Sequence, residues 1–266
     1  MRVIALDAHG RRREFKGPSP GLGGLPARLR RLWRGWALAN GDVRALAIAA
    51  KGVWTAAERR RQERRLRMLA HRVRVISDAE AAYLGALGDR PGMLLLAGTG
   101  SMVLARDASG RWSRAGGLGP LLGDEGSAFW IGREWLRATM DGPGFAAARL
   151  ILASPDPIAG IAALAPGVLG RARRGSRRAR RITAAAQGAL ADLLLAASHP
   201  LDLEAPVVVS WAGGLLADAH FLAGVWRATR RRGVRVRPER PRESAAAAVA
   251  RMAETLSRPA PFNRGC

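Results

Sequence analysis

The chain is poor in several residue types, and each shortage excludes a class of protein. Cysteine occurs once among 266 residues, as Cys266, which excludes an internal disulfide framework and a cysteine-based metal site. The four histidines are dispersed and match no metal-ligand spacing, so we predict no metal-ligating residues. No apolar run could span a bilayer, and the start of the chain lacks the apolar core of a signal peptide. We therefore expect a cytoplasmic protein with no membrane partner.

Lysine is also scarce, although the chain is strongly basic. The formal charge is +23, yet only Lys16 and Lys51 are lysines. The arginines are spread over several predicted helices among many alanines and glycines, and the densest block, 171–181, has the spacing of a solvated helix and its connection. Because no basic-aromatic module accompanies this charge, we expect no specific nucleic-acid partner.

A glycine turn in the middle of the chain has the features of a phosphate site. Gly98-Thr99-Gly100-Ser101 separates the apolar run 93–97, which predicts a buried strand, from a second predicted strand at 102–106. A dinucleotide-binding or Walker-type loop must open a helix, so a turn between two strands excludes both. Glycines allow close backbone approach, and the two hydroxyls add donors. The sequence therefore predicts a phosphate-binding hairpin turn.

One pattern occurs twice along the chain. A strand, the motif Asp-x-x-Gly-Arg at 7–11 and a second strand are repeated as a strand, the same motif at 107–111 and another strand. The repeat predicts two lobes that begin with equivalent hairpins. In the second lobe Gly100 lies seven residues before Asp107, whereas the position seven residues before Asp7 precedes Met1.

The rest of the chain alternates between strand and helix patterns, which indicates an α/β protein. The predicted strands are 43–50, 73–76, 207–210 and 234–236, and the predicted helices are 26–38, 56–69, 79–87, 124–140, 145–170, 177–198, 215–230 and 243–256. We predict an N-terminal lobe at 1–88, a C-terminal lobe with the nucleotide-binding turns at 89–241, and a closing helix and tail at 242–266.

Asp78 follows Ser77 where a predicted strand ends and a helix begins. Either residue suits a helix N-cap, which is the plain structural interpretation. Ligands in open α/β sheets collect at the carboxyl ends of strands, however, and this position favours a functional role for Asp78.

A longer glycine-rich block, 116–127, is followed by Trp130-Ile131-Gly132. Together with 98–101 it resembles the N-acetylglucosamine kinase and BadF/BadG/BcrA/BcrD-type ATPase family of the actin, sugar kinase and Hsp70 superfamily. The resemblance covers nearly the whole chain, because 77–79 and 212–214 fall in the expected order and spacing. It implies two ribonuclease-H-like lobes around a central cleft, with ATP between the lobes, the sugar deep in the cleft, and a first lobe that lacks its first strand.

The resemblance also implies roles for individual residues. Asp78 would be the catalytic base, and ATP with Mg²⁺ would be the cofactor. The implied nucleotide contacts are Gly98, Thr99, Gly100, Ser101, Gly213 and Gly214. The implied sugar contacts are Asp78, Gly117, Leu118, Gly119, Pro120, Leu121 and Asp124. Two plainer alternatives stay open, namely that Asp124 and Glu125 form only the negative first turn of a helix, and that 213–214 is only a tight turn.

The sequence departs from the family in two places. Relatives begin with a strand and an Asp-Gly-Gly-Gly-Thr-type turn, which this chain lacks, and Pro20 falls near the position of a sugar-binding asparagine. Either the chain starts at a misassigned or truncated position, or it is a degenerate member that binds ligand without turnover.

These observations predict an ATP-dependent phosphotransferase acting on a small-molecule sugar, N-acetylglucosamine or a related amino sugar, with a possible homodimer as its assembly. The alternative is a sugar- or nucleotide-binding regulatory protein on the same fold. A third hypothesis is a BadF-type ATPase activator, which is disfavoured because such activators share an iron–sulfur cluster on cysteines.

Overall fold

The computed structural model describes residues 1–7, 9, 11–141 and 143–258. It contains two compact units. Unit 1 combines Met1–Gly88 with the segment from Arg242 onward, and unit 2 is Asp89–Pro241. None of the helices that the structure describes combines the length and the hydropathy needed to cross a membrane.

Strands and helices alternate along both units. The strands are β1 Arg2–Leu6, β2 Arg12–Lys16, β3 Ala45–Ala50, β4 Arg72–Ser77, β5 Gly92–Ala97, β6 Ser101–Arg106, β7 Trp112–Gly116, β8 Val207–Ala212 and β9 Val236–Pro238. The helices are α1 Gly21–Gly35, α2 Ala56–Leu66, α3 Asp78–Leu87, α4 Ala128–Ala138, α5 Pro143–Leu152, α6 Pro157–Ala162, α7 Ala165–Arg173, α8 Arg177–Ser198, α9 Ala219–Arg231 and α10 Ala245–Ser257.

Unit 2 is built on a five-stranded sheet in the order β7-β6-β5-β8-β9. The central strand β5 is antiparallel to β6 and parallel to β8. Five of the six residues of β5 are buried, because neighbouring strands lie on both sides and α8 packs across β5, β6 and β7. Leu95 and Val103 of the sheet share one core with Leu190 and Leu194 of α8. The sheet therefore holds the turn after β5 at a rigid, central position.

Unit 1 contains two separate two-stranded sheets. The hairpin β1–β2 is antiparallel like β6–β7, and the pair β3–β4 is parallel like β8–β9. Within the part of unit 1 that the structure describes, no strand takes the position that β5 has in unit 2. The difference is visible in burial, since β1 is half-buried or exposed along its length whereas five of the six residues of β6 are buried.

The repeated hairpin motif has the same hydrogen bonds in both units, which confirms the predicted internal repeat at this point. The Asp7 carboxylate accepts from the backbone N–H of Arg11 at 2.9 Å, and the Asp107 carboxylate accepts from the N–H of Arg111 at 3.0 Å. In each case the aspartate N–H also donates to the carbonyl of that arginine, at 3.1 Å. Ala8 and Gly10 of the first copy lie outside the described residues.

Helix α10 belongs to unit 1. It packs against α3 and β3, and the chain just before it runs along α3, where the Glu243 N–H donates to the Gly85 carbonyl at 2.9 Å. A β-carbon at Gly85 would lie 2.9 Å from the Glu243 carbonyl oxygen, so the close approach depends on glycine. The last described helix is thus part of the same compact unit as the first strands.

Candidate functional site

Two predicted glycine turns lie side by side in unit 2. β5 and β8 are parallel neighbours, and each ends in one of the turns, Gly98-Thr99-Gly100 or Gly213-Gly214. A β-carbon at Gly98 would lie 3.9 Å from the backbone nitrogen of Gly214. Gly213 has a φ of 116°, and a β-carbon there would overlap the backbone of Ala97. Ligands collect at the carboxyl ends of such parallel strands, which is where both turns lie.

The turn after β5 keeps only some of its donors available. The Gly98 N–H donates to the Gly100 carbonyl at 2.9 Å, and the Ser101 N–H donates to Asp124 Oδ1 at 3.1 Å. The Ser101 hydroxyl donates to the Glu125 carbonyl at 2.7 Å. Among the described residues, the N–H groups of Thr99 and Gly100 and the exposed Thr99 hydroxyl have no hydrogen-bond partner. Ser101, predicted as a phosphate contact, instead anchors the turn.

Asp124 lies directly against this turn. A β-carbon at Gly100 would be 2.8 Å from both Asp124 carboxylate oxygens, and the aspartate is only 6% exposed. Its φ is +63°, a left-handed conformation that costs energy in a residue other than glycine. Strained residues of this kind cluster at functional sites. The second carboxylate oxygen has no hydrogen-bond partner among the described residues, so it can accept from a ligand hydroxyl or bind a hard cation.

Helix α4 begins later than we predicted, at Ala128 instead of Asp124. Asp124 and Gly126 both have positive φ, which a helix cannot continue through, and Ser127 is the N-cap whose hydroxyl accepts from the Trp130 N–H at 3.1 Å. The alternative that Asp124 and Glu125 form the first turn of that helix is therefore wrong. The Ala128 N–H has no partner inside the helix and donates to the Gly98 carbonyl at 2.8 Å, so the start of α4 supports the glycine turn.

The segment predicted to touch the sugar, 117–121, follows the end of β7 as a partly exposed loop. Gly117 stays attached to the site because its N–H donates to the Ser101 carbonyl at 3.0 Å. Leu118 and Leu121 are 61% and 95% exposed. In unit 2 the structure thus places Gly117 and Asp124 beside the glycine turn and leaves the two leucine side chains in solvent.

Asp78 lies in unit 1 at the carboxyl end of β4, as the first residue of α3. Ser77, and not Asp78, is the N-cap, since the Ser77 hydroxyl accepts from the Glu80 N–H at 3.0 Å and Glu80 accepts from the Ser77 N–H at 2.8 Å. Arg59 binds Glu80 at 2.7 Å. The Asp78 carboxylate is exposed and accepts only from the adjacent Ala79 N–H, at 3.0 Å, among the described residues. The helix start is therefore fixed without using the Asp78 side chain.

A cavity of about 390 Å³ lies between α7, α8 and α9 of unit 2, and sequence reasoning missed it. Its residues come from three helices and the segment before α9, so no local pattern could show it. Thr183 of α8 is 8% exposed, and its buried hydroxyl has no hydrogen-bond partner among the described residues. The cavity is lined by Leu169, Ala172, Arg173, Arg180, Thr183, Ala184, Gln187, Asp218, His220, Phe221 and Arg227.

Comparison with known proteins shows which family the chain belongs to. Residues 27–249 match the profile of the BadF/BadG/BcrA/BcrD ATPase family. The chain belongs to this family. The predicted resemblance is thereby confirmed.

Individual relatives of this BadF/BadG/BcrA/BcrD ATPase family member are sugar kinases by name. The N-acetylmuramic acid/N-acetylglucosamine kinase of Clostridium acetobutylicum is 33% identical over 101 residues, which cover 37% of this chain and 33% of that kinase. The aligned part thus spans about a third of the curated relative's length.

Two solved structures show the fold. A candidate N-acetylglucosamine kinase from Chromobacterium violaceum has a TM-score of 0.65 at 23% identity, and covers 97% of this chain and 94% of its own. The ROK hexokinase from Thermus thermophilus has a TM-score of 0.55 at 18% identity, with 97% and 100% covered. The predicted α/β class is confirmed, and the chain shares the fold of these two structures.

Proposed function

We propose that this BadF/BadG/BcrA/BcrD ATPase family member is an ATP-dependent kinase of a small sugar, with N-acetylglucosamine or a related amino sugar as its substrate. The observation that supports this most is the meeting of the two glycine turns at the carboxyl ends of β5 and β8, with the donors of Thr99 and Gly100 unengaged within the described chain. Family membership and the kinase relatives agree with it.

In this proposal the turn after β5 binds the ATP phosphates. The N–H groups of Thr99 and Gly100 and the Thr99 hydroxyl are donors on one exposed turn, which suits an anion. Gly213 and Gly214 lie beside that turn without side chains, so a nucleotide can pass close to the backbone there. Mg²⁺ bound with ATP would neutralise charge on the phosphoryl group.

Asp78 acts as the general base. Its exposed carboxylate can accept the proton of a sugar hydroxyl while that oxygen attacks the γ-phosphorus and ADP leaves. The Ser77–Glu80 capping box and Arg59 hold the start of α3, so the carboxylate stands on a fixed element. Asp124, with one oxygen unengaged within the described chain, orients sugar hydroxyls.

The test is an assay that couples ADP release to sugar phosphorylation. Asp78→Asn keeps the shape but loses the base, so we expect the turnover rate to fall by about 10²–10⁴-fold while the ATP dissociation constant stays within about twofold. Asp202→Asn, at another exposed aspartate, is the control and should leave both unchanged. If Asp78→Asn keeps the wild-type turnover rate, Asp78 is not the general base.

A second candidate is a protein of the same fold that binds sugar or nucleotide but does not catalyse phosphoryl transfer. Saturable binding of sugar or nucleotide with no ADP release would support it. A BadF-type activator is disfavoured, because a single cysteine per chain provides too few ligands for the cluster that such activators share.

A further inference from the structure

We propose that Ser101 is a positioning residue for the sugar, because it holds both ends of the segment 117–125 against the phosphate turn. This inference rests on the proposed function and deepens it, since it names the residue that fixes the sugar-binding segment relative to the bound ATP. Ser101 itself contacts neither substrate. It acts through the residues at the two ends of the segment.

The first end of the segment is held by the Ser101 backbone. The Ser101 carbonyl accepts from the Gly117 N–H at 3.0 Å. A β-carbon at Gly116 would lie 3.0 Å from the same carbonyl oxygen, so this close approach of the end of β7 favours glycine. Gly116 and Gly117 both have a φ of 75°, in the left-handed region that also favours glycine. The start of the segment is therefore specified by its glycines and by Ser101 together.

The second end of the segment is held by two further bonds from Ser101. The Ser101 N–H donates to Asp124 Oδ1 at 3.1 Å, and the Ser101 hydroxyl donates to the Glu125 carbonyl at 2.7 Å. Ser101 is only 3% exposed, so breaking either bond would leave a buried polar group without a partner. Because the Ser101 N–H engages Oδ1, the other carboxylate oxygen of Asp124 is the one left to accept from a sugar hydroxyl.

Between these two ends the segment has little support of its own. Within the described chain, the only other hydrogen bond of residues 118–123 joins the Leu122 N–H to the Gly119 carbonyl, at 3.3 Å. The three leucine side chains of the segment are 61%, 78% and 95% exposed, so they add little packing. The position of the segment is therefore set mainly at its ends, where Ser101 supplies three bonds.

The phosphate turn does not depend on the Ser101 hydroxyl. The Gly98 carbonyl accepts from the Ala128 N–H at 2.8 Å, and the Thr99 carbonyl accepts from the Phe129 N–H at 3.2 Å. Both donors belong to the first turn of α4, so the helix holds the turn by its carbonyl groups. Loss of the Ser101 hydroxyl should therefore weaken sugar binding more than ATP binding. A general contribution to folding would not separate the two substrates in this way.

The experiment measures steady-state kinetics of the full chain with N-acetylglucosamine and ATP. Ser101→Ala removes the hydroxyl and keeps both backbone bonds, so the KM for the sugar should rise about three- to tenfold while the KM for ATP stays within about twofold. Ser210→Ala is the control for burial, because Ser210 is a fully buried serine of β8 whose hydroxyl has no partner among the described residues. Ser176→Ala is the control for lost stability, since it removes the N-cap of α8. Neither control should change the KM for the sugar.

Hydrogen exchange gives a second measurement that needs no turnover. The amides of 118–123 should exchange about three- to tenfold faster in Ser101→Ala than in the wild type, and those of Ser210→Ala should not. Unchanged exchange in Ser101→Ala would contradict the anchoring of the segment. If the wild type phosphorylates the sugar and Ser101→Ala keeps the wild-type KM for it, the positioning role is wrong and the kinase proposal stands. If the wild type phosphorylates no amino sugar, both proposals fail.

Discussion

Gly213 lies so close to Ala97 that a side chain at position 213 would overlap the Ala97 backbone. The contact joins the end of β8 to the end of β5, and it brings the two glycine turns together. Because Gly213 also has a φ of 116°, two independent constraints require glycine at this position.

Gly213→Ala should therefore be severely destabilising. The strained φ and the backbone overlap together should lower the free energy of unfolding by more than about 3 kcal/mol. Gly214→Ala is the control, since no heavy atom lies within 4 Å of the added carbon, and it should change stability by less than about 1 kcal/mol. Urea denaturation of both variants measures the difference. Equal midpoints would contradict the close approach.

Gly100→Ala should disturb the phosphate turn through Asp124. The added carbon would lie 2.8 Å from both Asp124 oxygens, so the carboxylate must move and its bond to the Ser101 N–H must break. We expect a loss of about 1–3 kcal/mol in stability and weaker ATP binding by calorimetry. Gly98→Ala, with 3.9 Å to its nearest neighbour, should keep stability within about 1 kcal/mol. An unchanged ATP affinity in Gly100→Ala would remove this turn from the nucleotide site.

Ser77→Ala tests the support of Asp78. It removes the N-cap hydroxyl of α3, and such losses cost about 1 kcal/mol. The turnover rate should fall while ATP affinity is kept, because only the placement of Asp78 is affected. Ser176→Ala removes the equivalent cap of α8, so it should cost similar stability and serves as the control for fraying alone. A turnover rate that falls equally in both variants would show that Ser77 has no specific effect on Asp78.

Asp107 should contribute to the loss of folding stability at acidic pH. The Ser109 hydroxyl donates to its carboxylate and Arg111 binds it, which lowers the pKa of Asp107 from 3.8 to about 2. A lowered pKa means that the charged form stabilises the folded state above about pH 4, and that this contribution is lost as the pH falls towards 2. Asp107→Asn should flatten the change in urea midpoint across that window, and Asp202→Asn should not. If the urea midpoint of Asp107→Asn changes with pH as steeply as that of the wild type, the turn does not stabilise the Asp107 carboxylate.

Local patterns predicted most of the elements. The helix at 177–198 has the bounds of α8, and both copies of the Asp-x-x-Gly-Arg hairpin are present where the repeat placed them. Of the two glycine turns, sequence alone predicted the location but not their contact, because strands β5 and β8 are more than one hundred residues apart and meet only in the sheet.

The errors have physical causes. The sequence predicts too early a start for α4, because acidic residues often begin helices and the pattern cannot reveal that Asp124 adopts a left-handed conformation. Ser101 looked like a phosphate donor because its hydroxyl sits beside glycines, yet its donors are taken by residues more than twenty positions later. The pairing of α10 with α3 and β3 likewise depends on contacts that no local window contains.

The place of α10 in unit 1 has a consequence for how the protein is made. Unit 2 is one continuous stretch, so it can fold as soon as its residues leave the ribosome. The strands of unit 1 are synthesised earlier, but they wait for a helix that is translated after unit 2. Unit 2 can therefore complete its fold before unit 1 does, and β1 and β3 stay partly uncovered until α10 has been synthesised.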